Sequence, residues 1–129
     1  MLAAPLMAGN DLNNMSDDTR RILTNKEVIA IDQDPLGIQA HLSVALGDRQ
    51  IWVKKLDGNQ WAVCFFNRGE TEWNLNFNWN DIPELRATGI NYSVYDLWQH
   101  KTIAKTTAKN VVSNIPSHGV LMVRLTPIK

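Results

Sequence analysis

The hydrophobic period of this chain changes near residue 40, and that change constrains the fold more than any other feature. Before residue 40 the apolar residues recur at helical spacing, whereas after it they alternate with polar residues in short runs. Turn residues such as Gly47 with Asp48 and, later, Gly58 separate these runs. Such runs are typical of an antiparallel sandwich or, as the second choice, a closed barrel. We therefore predict that residues 39–129 form a mainly β domain, an antiparallel Greek-key β-sandwich.

Eight runs in this region have the character of strands. The run at 60–68 is apolar on both faces, which predicts a central strand, and the run at 71–79 alternates cleanly, which predicts one buried face. The run at 91–101 loses its alternation after Asp96, and this predicts a β-bulge at 96–98. The predicted strands are residues 41–46, 50–56, 60–68, 71–79, 91–101, 102–105, 110–115 and 120–126.

The first 38 residues have a different character. Residues 3–8 carry apolar side chains on both faces, which predicts a short buried strand of the parallel kind. A parallel strand needs a neighbouring strand, and no other part of residues 1–38 supplies one. Ser16 is suited to cap a helix at 17–24, and a second short helix is expected at 27–32. Residues 1–38 therefore look like the end of an α/β domain.

Charge and composition narrow the classes of partner. Thirteen basic side chains balance thirteen acidic ones, so nothing favours binding to nucleic acid or to an anionic membrane surface. The opening residues lack the cationic start of a secretory signal, and the sequence leaves the cellular location open. The single cysteine, Cys64, lies in an apolar run and is expected to be a buried, inert thiol.

A search for chemistry-bearing side chains gives little. His41, His100 and His118 are spread along the chain without acidic or cysteine neighbours at ligand spacing, so no metal site is predicted. Asp32 and Asp34 suit capping and loop roles better than a general acid and base pair. The sequence has neither a nucleophile-elbow serine nor a glycine-rich phosphate loop. We therefore predict no catalytic residue, metal or cofactor in this chain.

Five tryptophans are the one unusual feature of the composition. Exposed tryptophan and asparagine side chains could stack on sugars and hydrogen-bond to them, which makes a carbohydrate-binding module an alternative function. Trp73 and Trp79, however, fall on the apolar face of their predicted strand. Core packing is therefore favoured for these two residues.

Asn10 and Asp11 follow the predicted strand at 3–8. In barrels of alternating strands and helices, the loops after the strands form the catalytic rim. Turn formation is the simpler explanation, because Gly-Asn-Asp is ordinary turn chemistry. These two residues are therefore candidate rim residues.

Several segments resemble one enzyme family. They are AAPLMAGNDL, ILTNKEVIAIDQDPLGIQA, WAVCFFNRGE, VYDLWQHK and IPSHGVLMVRL, and they cover nearly all of the chain in family order. Together they resemble the C-terminal third of the α-galactosidases of glycoside hydrolase family 27, which also includes α-N-acetylgalactosaminidases. In that family a (β/α)8 barrel precedes an antiparallel Greek-key sandwich. The resemblance implies that residues 1–38 are a remnant of the last β/α unit of the barrel, and that residues 39–129 are the sandwich.

The resemblance also implies what this chain lacks. Family members hydrolyse terminal α-galactosides with retention, using two aspartates held about 5 Å apart. Both aspartates lie on barrel strands that would precede residue 1, so no catalytic role can be assigned to a residue here, and Asn10 and Asp11 would lie only near the rim. The chain is therefore expected to be an inactive, barrel-supporting domain. Its expected partner is the missing barrel, or a second copy through residues 1–38.

Overall fold

The structure is a computed structural model and describes residues 1–128. Two short helices come first, and eight strands with one further helix follow. The helices are α1 (Asp17–Leu23), α2 (Lys26–Asp32) and α3 (Pro83–Thr88). The strands are β1 (His41–Leu46), β2 (Arg49–Lys55), β3 (Trp61–Asn67), β4 (Trp73–Phe77), β5 (Tyr92–Asp96), β6 (Lys101–Ala104), β7 (Val111–Ile115) and β8 (Val120–Pro127). Single 3-10 turns lie at Asp57–Asn59 and Trp79–Asp81.

The strands form two antiparallel sheets. One has six strands in the order β1-β2-β3-β8-β5-β6, and the other pairs β4 with β7. The last strand returns to lie between β3 and β5, a non-sequential arrangement of the kind that a Greek key produces. Strands β1 and β6 are the edges of the larger sheet, so the fold is an open sandwich, and the prediction of a mainly β, antiparallel sandwich is confirmed.

The main core lies between the two sheets. Phe65 is fully buried at its centre, and its ring meets those of Trp73, Phe77 and Trp79 edge to face at centroid distances of 6.2, 6.0 and 5.7 Å. Edge-to-face contacts of this kind add to the free energy gained by burying the rings. The prediction that Trp73 and Trp79 are core residues is confirmed.

The other face of the six-stranded sheet is covered by α2. Ile31 packs there in a second apolar cluster with Leu56, Ala62, Leu97 and Met122. The larger sheet is thus covered by the smaller sheet on one side and, over part of the other side, by α2. This explains why β3 is apolar on both faces.

The predicted bulge at 96–98 is wrong. The pairing of β5 with β8 runs without a shift from Tyr92 to Asp96, and the next amide, that of Leu97, donates to the Met122 carbonyl at 3.1 Å. Asp96 is buried beside the main core and Leu97 beside α2, so consecutive buried residues need no change of phase when both faces are covered. A register shift does occur in β5, between Val94 and Tyr95, where it pairs with β6.

The predicted strand at 3–8 is also not observed. These residues form no regular secondary structure, and most of them are exposed. Because no neighbouring parallel strand is available, their backbone groups cannot join a sheet. The two following helices are confirmed, α1 with Ser16 as its N-cap, accepting from the amide of Thr19. Within residues 1–128 no helix is both long enough and apolar enough to cross a membrane.

Candidate functional site

Apolar side chains on the N-terminal segment and on one turn of the sandwich remain exposed together. We name this set the N-terminal apolar surface. Met7 is 93% exposed, Leu6 57% and Ile22 53%. Helix α1 buries no residue at all, which is unusual because a short helix depends on tertiary packing for its stability. The members of the surface are Leu6, Met7, Ile22, Leu23 and Trp98.

A groove of about 510 Å³ runs through the N-terminal apolar surface. Leu6 and Met7 line one part of it, Ile22 and Val28 line the helical part, and Trp98 contributes from the sandwich. Exposed apolar patches of this kind mark surfaces that bind a protein, a membrane or a ligand. The groove therefore has the character of an apolar docking surface rather than of a polar active site.

Helix α2 connects this surface to the sandwich through hydrogen bonds at its N-terminus. The side chain of Asn25 caps the helix by accepting from the amides of Glu27 and Val28, at 3.1 and 3.3 Å. The same side chain donates to the carbonyl of Leu97 at 3.1 Å, and this bond is buried. One residue thus begins the helix and fixes it to the turn after β5.

The first turn of α2 is also held by Glu27. Its carboxylate accepts from the Tyr95 hydroxyl at 2.9 Å and lies 3.0 Å from Nδ1 of His100. Partial burial by itself raises the pKa of Glu27, but the hydrogen bonds from His100 and Tyr95 together outweigh that effect and hold this pKa below its ordinary value. The folded state therefore favours the ionised carboxylate.

We expect this contact to make stability depend on pH in the acid range. Because the pKa of Glu27 is lower in the folded state, its contribution is fully present above the unfolded value of about 4.3 and is lost as the pH falls through the folded value. Glu27→Gln cannot titrate, so its melting temperature should lie below that of the unmodified chain at pH 7 and should begin to converge with it as the pH falls below about 4. Thermal unfolding followed from pH 7 to pH 3 measures this difference.

Glu70 provides the control, since it pairs with His118 at 3.2 Å while its side chain is 89% exposed. Exposed pairs contribute little to stability. Glu70→Gln should therefore leave the melting temperature unchanged at every pH. A constant offset between Glu27→Gln and the unmodified chain down to pH 3 would contradict the assignment.

The structure places the candidate rim residues Asn10 and Asp11 in an exposed turn. Asp11 accepts from the amide of Asn13 at 3.0 Å, which is the local turn bond that its residue type favours. No ion pair described for residues 1–128 involves Asp11. Their place near a barrel rim thus stays a prediction.

The three histidines each face a glutamate: His41 lies 2.6 Å from Glu84, and the other two pair as described above. Nowhere in residues 1–128 do three or more potential metal ligands come together. Cys64 lies on β3, where burial raises the pKa of its thiol to about 11. The thiol is therefore almost entirely protonated at neutral pH and a poor nucleophile, although Cys64 is half-buried rather than buried as predicted.

The tryptophans do not form a surface for stacking on sugars. Trp73 and Trp79 are buried, Trp52 and Trp61 are half-buried, and only Trp98 of the five is exposed. Trp98 is part of the N-terminal apolar surface and lies beside aliphatic side chains. The carbohydrate-binding alternative is thus not favoured.

Comparison with known proteins agrees with this picture. The family model described as the alpha galactosidase C-terminal beta sandwich domain matches residues 46–125, and that of alpha galactosidase A matches residues 1–34. An alpha-galactosidase A from Cellvibrio japonicus is 40% identical over 98% of this chain and 33% of its own length. Alpha-galactosidase 3 from Arabidopsis thaliana is 38% identical over 98% of this chain and 29% of its own length.

A solved structure shows the same fold. Alpha-galactosidase I from Mortierella vinacea superposes with a TM-score of 0.85 and 29% identity, over 95% of this chain and 32% of that one. The chain spans about a third of the length of the curated relatives it matches. On these matches, the chain belongs to the α-galactosidase family, glycoside hydrolase family 27, and corresponds to its C-terminal part.

Proposed function

We propose that this chain is the non-catalytic, barrel-supporting part of an α-galactosidase, whose whole enzyme hydrolyses terminal α-linked galactose. The observation that carries the proposal is the N-terminal apolar surface. A stable monomer rarely leaves a helix such as α1 with no buried residue beside side chains as exposed as Met7. The catalytic barrel is the occupant that family membership supports, because the relatives are about three times as long as the matched region.

The proposal includes a division of the chain at residue 38. Residues 1–38 would complete the last β/α unit of the barrel, and residues 39–129 would form the sandwich. This division is supported by the loop that separates α2 from β1. It is also supported by the two family models, because the match to one ends at residue 34 and the match to the other begins at residue 46. Asn10 and Asp11 would then follow the eighth barrel strand and lie near its rim without a catalytic role.

The test is association with a barrel. The N-terminal two thirds of the Cellvibrio japonicus relative, which this chain does not match, would be titrated with the chain in a calorimeter. We expect a one-to-one complex with a negative change in heat capacity, the mark of apolar burial. Sedimentation of the chain alone distinguishes this result from self-association through the same surface.

Ile22→Asp is expected to weaken that complex at least roughly tenfold, because a carboxylate would be buried without a partner. Val112→Asp is the matched control, since Val112 is a 73% exposed aliphatic residue on β7, outside the N-terminal apolar surface. It should bind as the unmodified chain does. Equal affinities for the two variants would contradict the proposed surface, as would a monomeric chain that shows no binding and resists proteolysis throughout residues 1–38.

A further inference from the structure

Lys54 is a fully buried lysine on β2. Alternation along the strand places it on the face that α2 covers, whereas its neighbours Ile51 and Val53 face the main core. Its Nζ donates to the carbonyl oxygen of Ile31 and reaches that of Asp32 at 3.4 Å. Within residues 1–128 no carboxylate oxygen lies within 4.0 Å of this nitrogen.

The contact between Lys54 and the end of α2 compensates two unfavourable features, a buried charge and the unpaired carbonyls of a helix end. Removing an ammonium group from water is unfavourable unless the charge is well compensated. The last carbonyls of a helix lack partners inside the helix and carry the negative end of its dipole. Lys54 thus donates hydrogen bonds to unpaired carbonyls at the end of α2, and those carbonyls in turn stabilise its buried charge.

The geometry also restricts where α2 can lie. Successive residues of a helix are rotated by about 100°, so sliding α2 along the sheet or turning it by one residue would move both carbonyls away from Nζ. The opposite end of α2 is already fixed by the bond from Asn25 to Leu97. Two buried polar contacts, one at each end, therefore define a single register of the helix on the sandwich.

A hydrogen bond of Asp32 also connects the end of α2 to the first residues of the chain. The carboxylate of Asp32 accepts from the amide of Ala4 at 3.2 Å. The carbonyl of Met1 accepts from the amide of Ala40 at 2.9 Å, so the first residue of the chain is held beside the residue that precedes β1. Contacts therefore lead from Lys54 through the end of α2 to the residues that precede Asn10.

We infer that Lys54 is the positioning residue that fixes the register of residues 1–38 on the sandwich. This inference rests on the proposed function only in one respect: the register set by Lys54 would orient the N-terminal apolar surface toward the barrel. The contacts themselves are a property of this chain. Lys54 acts through α2 and touches no reacting group.

Hydrogen exchange on the whole chain tests the inference, with Lys54→Met compared with Lys55→Met. Methionine keeps much of the volume of the lysine stem and removes the donors, and Lys55 is its exposed neighbour on the same strand. For Lys54→Met we expect exchange roughly 10- to 100-fold faster at the amides of Ala4 and Gln33, since a bond to a charged group is lost. Amides of β3 and β8 should keep their protection, and Lys55→Met should behave as the unmodified chain.

Two outcomes would overturn the inference. One is unchanged exchange at Ala4 and Gln33 in Lys54→Met, and the other is an equal loss of protection across β3 and β8, which would make Lys54 a general stability residue. If Lys54→Met does not fold, Asp32→Ala still tests the bond between Ala4 and Asp32. This variant should speed exchange at the amide of Ala4 and leave that of Gln33 protected. Exchange is measured without a barrel, so its result is independent of the association that tests the proposed function.

Discussion

Replacing Phe65 with alanine is expected to lower the free energy of unfolding by about 3–5 kcal/mol. The ring is fully buried and contacts three other aromatic rings, so its removal leaves a cavity that β3, paired on both sides, cannot close by moving. Whole domains are stable by only about 5–15 kcal/mol, so this change removes a large part of the total. Urea unfolding monitored by tryptophan fluorescence measures the loss.

Phe66→Ala is the matched control, since Phe66 follows on the same strand and is only half-buried on the opposite face. We expect a loss well below that of Phe65→Ala, because less apolar area is withdrawn from water there. Similar losses for the two variants would show that the aromatic cluster is not the centre of the core.

Asn67→Ala is expected to cost about 2–4 kcal/mol, the second largest effect. The side chain of Asn67 is fully buried, and its Nδ2 donates to the carbonyls of Thr71, Pro116 and Ile115 at 2.8, 3.1 and 3.2 Å. Its Oδ1 accepts from the amide of Gly69 at 3.0 Å. Removing the amide leaves several backbone groups unsatisfied where β3 and β7 end, and buried unsatisfied groups are costly.

Asn74→Ala tests whether that cost is specific to the buried site. Asn74 is exposed on β4, so its removal should change the free energy of unfolding by less than about 0.5 kcal/mol. Both variants can be compared by the same urea titration. A loss below about 1 kcal/mol for Asn67→Ala would mean that water replaces its bonds and that the site is not closed.

The sandwich could be predicted from the sequence because each strand carries its own signal. Alternation in the run from Trp73 to Phe77 directly reports which side chains face the core, and turn residues mark where each strand ends. The prediction failed where the covering layer came from elsewhere in the chain. Asp96 and Leu97 suggested a bulge only because α2, far away in sequence, was not known to cover the second face.

The residues that fix the N-terminal segment could not be predicted for a related reason. The alternation of apolar and polar residues along β2 predicts that Lys54 faces solvent. It is buried only because α2 packs over that face of the sheet. Residues 3–8 have the composition of a buried strand, yet backbone hydrogen bonds in a parallel sheet require a second chain segment. Trp98 carried no signal in the sequence that separates an exposed tryptophan from a core one.

The most direct test of the central claim is the hydrolysis of an aryl α-galactoside. The chain would be assayed alone, and then mixed with the N-terminal two thirds of the Cellvibrio japonicus relative. We predict no turnover by the chain alone, because under the proposed function the paired carboxylates that retaining glycosidases require would lie in the part of the enzyme that this chain does not match. We also predict that adding the chain raises the turnover and thermal stability of that N-terminal part. Turnover by the chain alone, or no effect of the chain on the N-terminal part, would contradict the account.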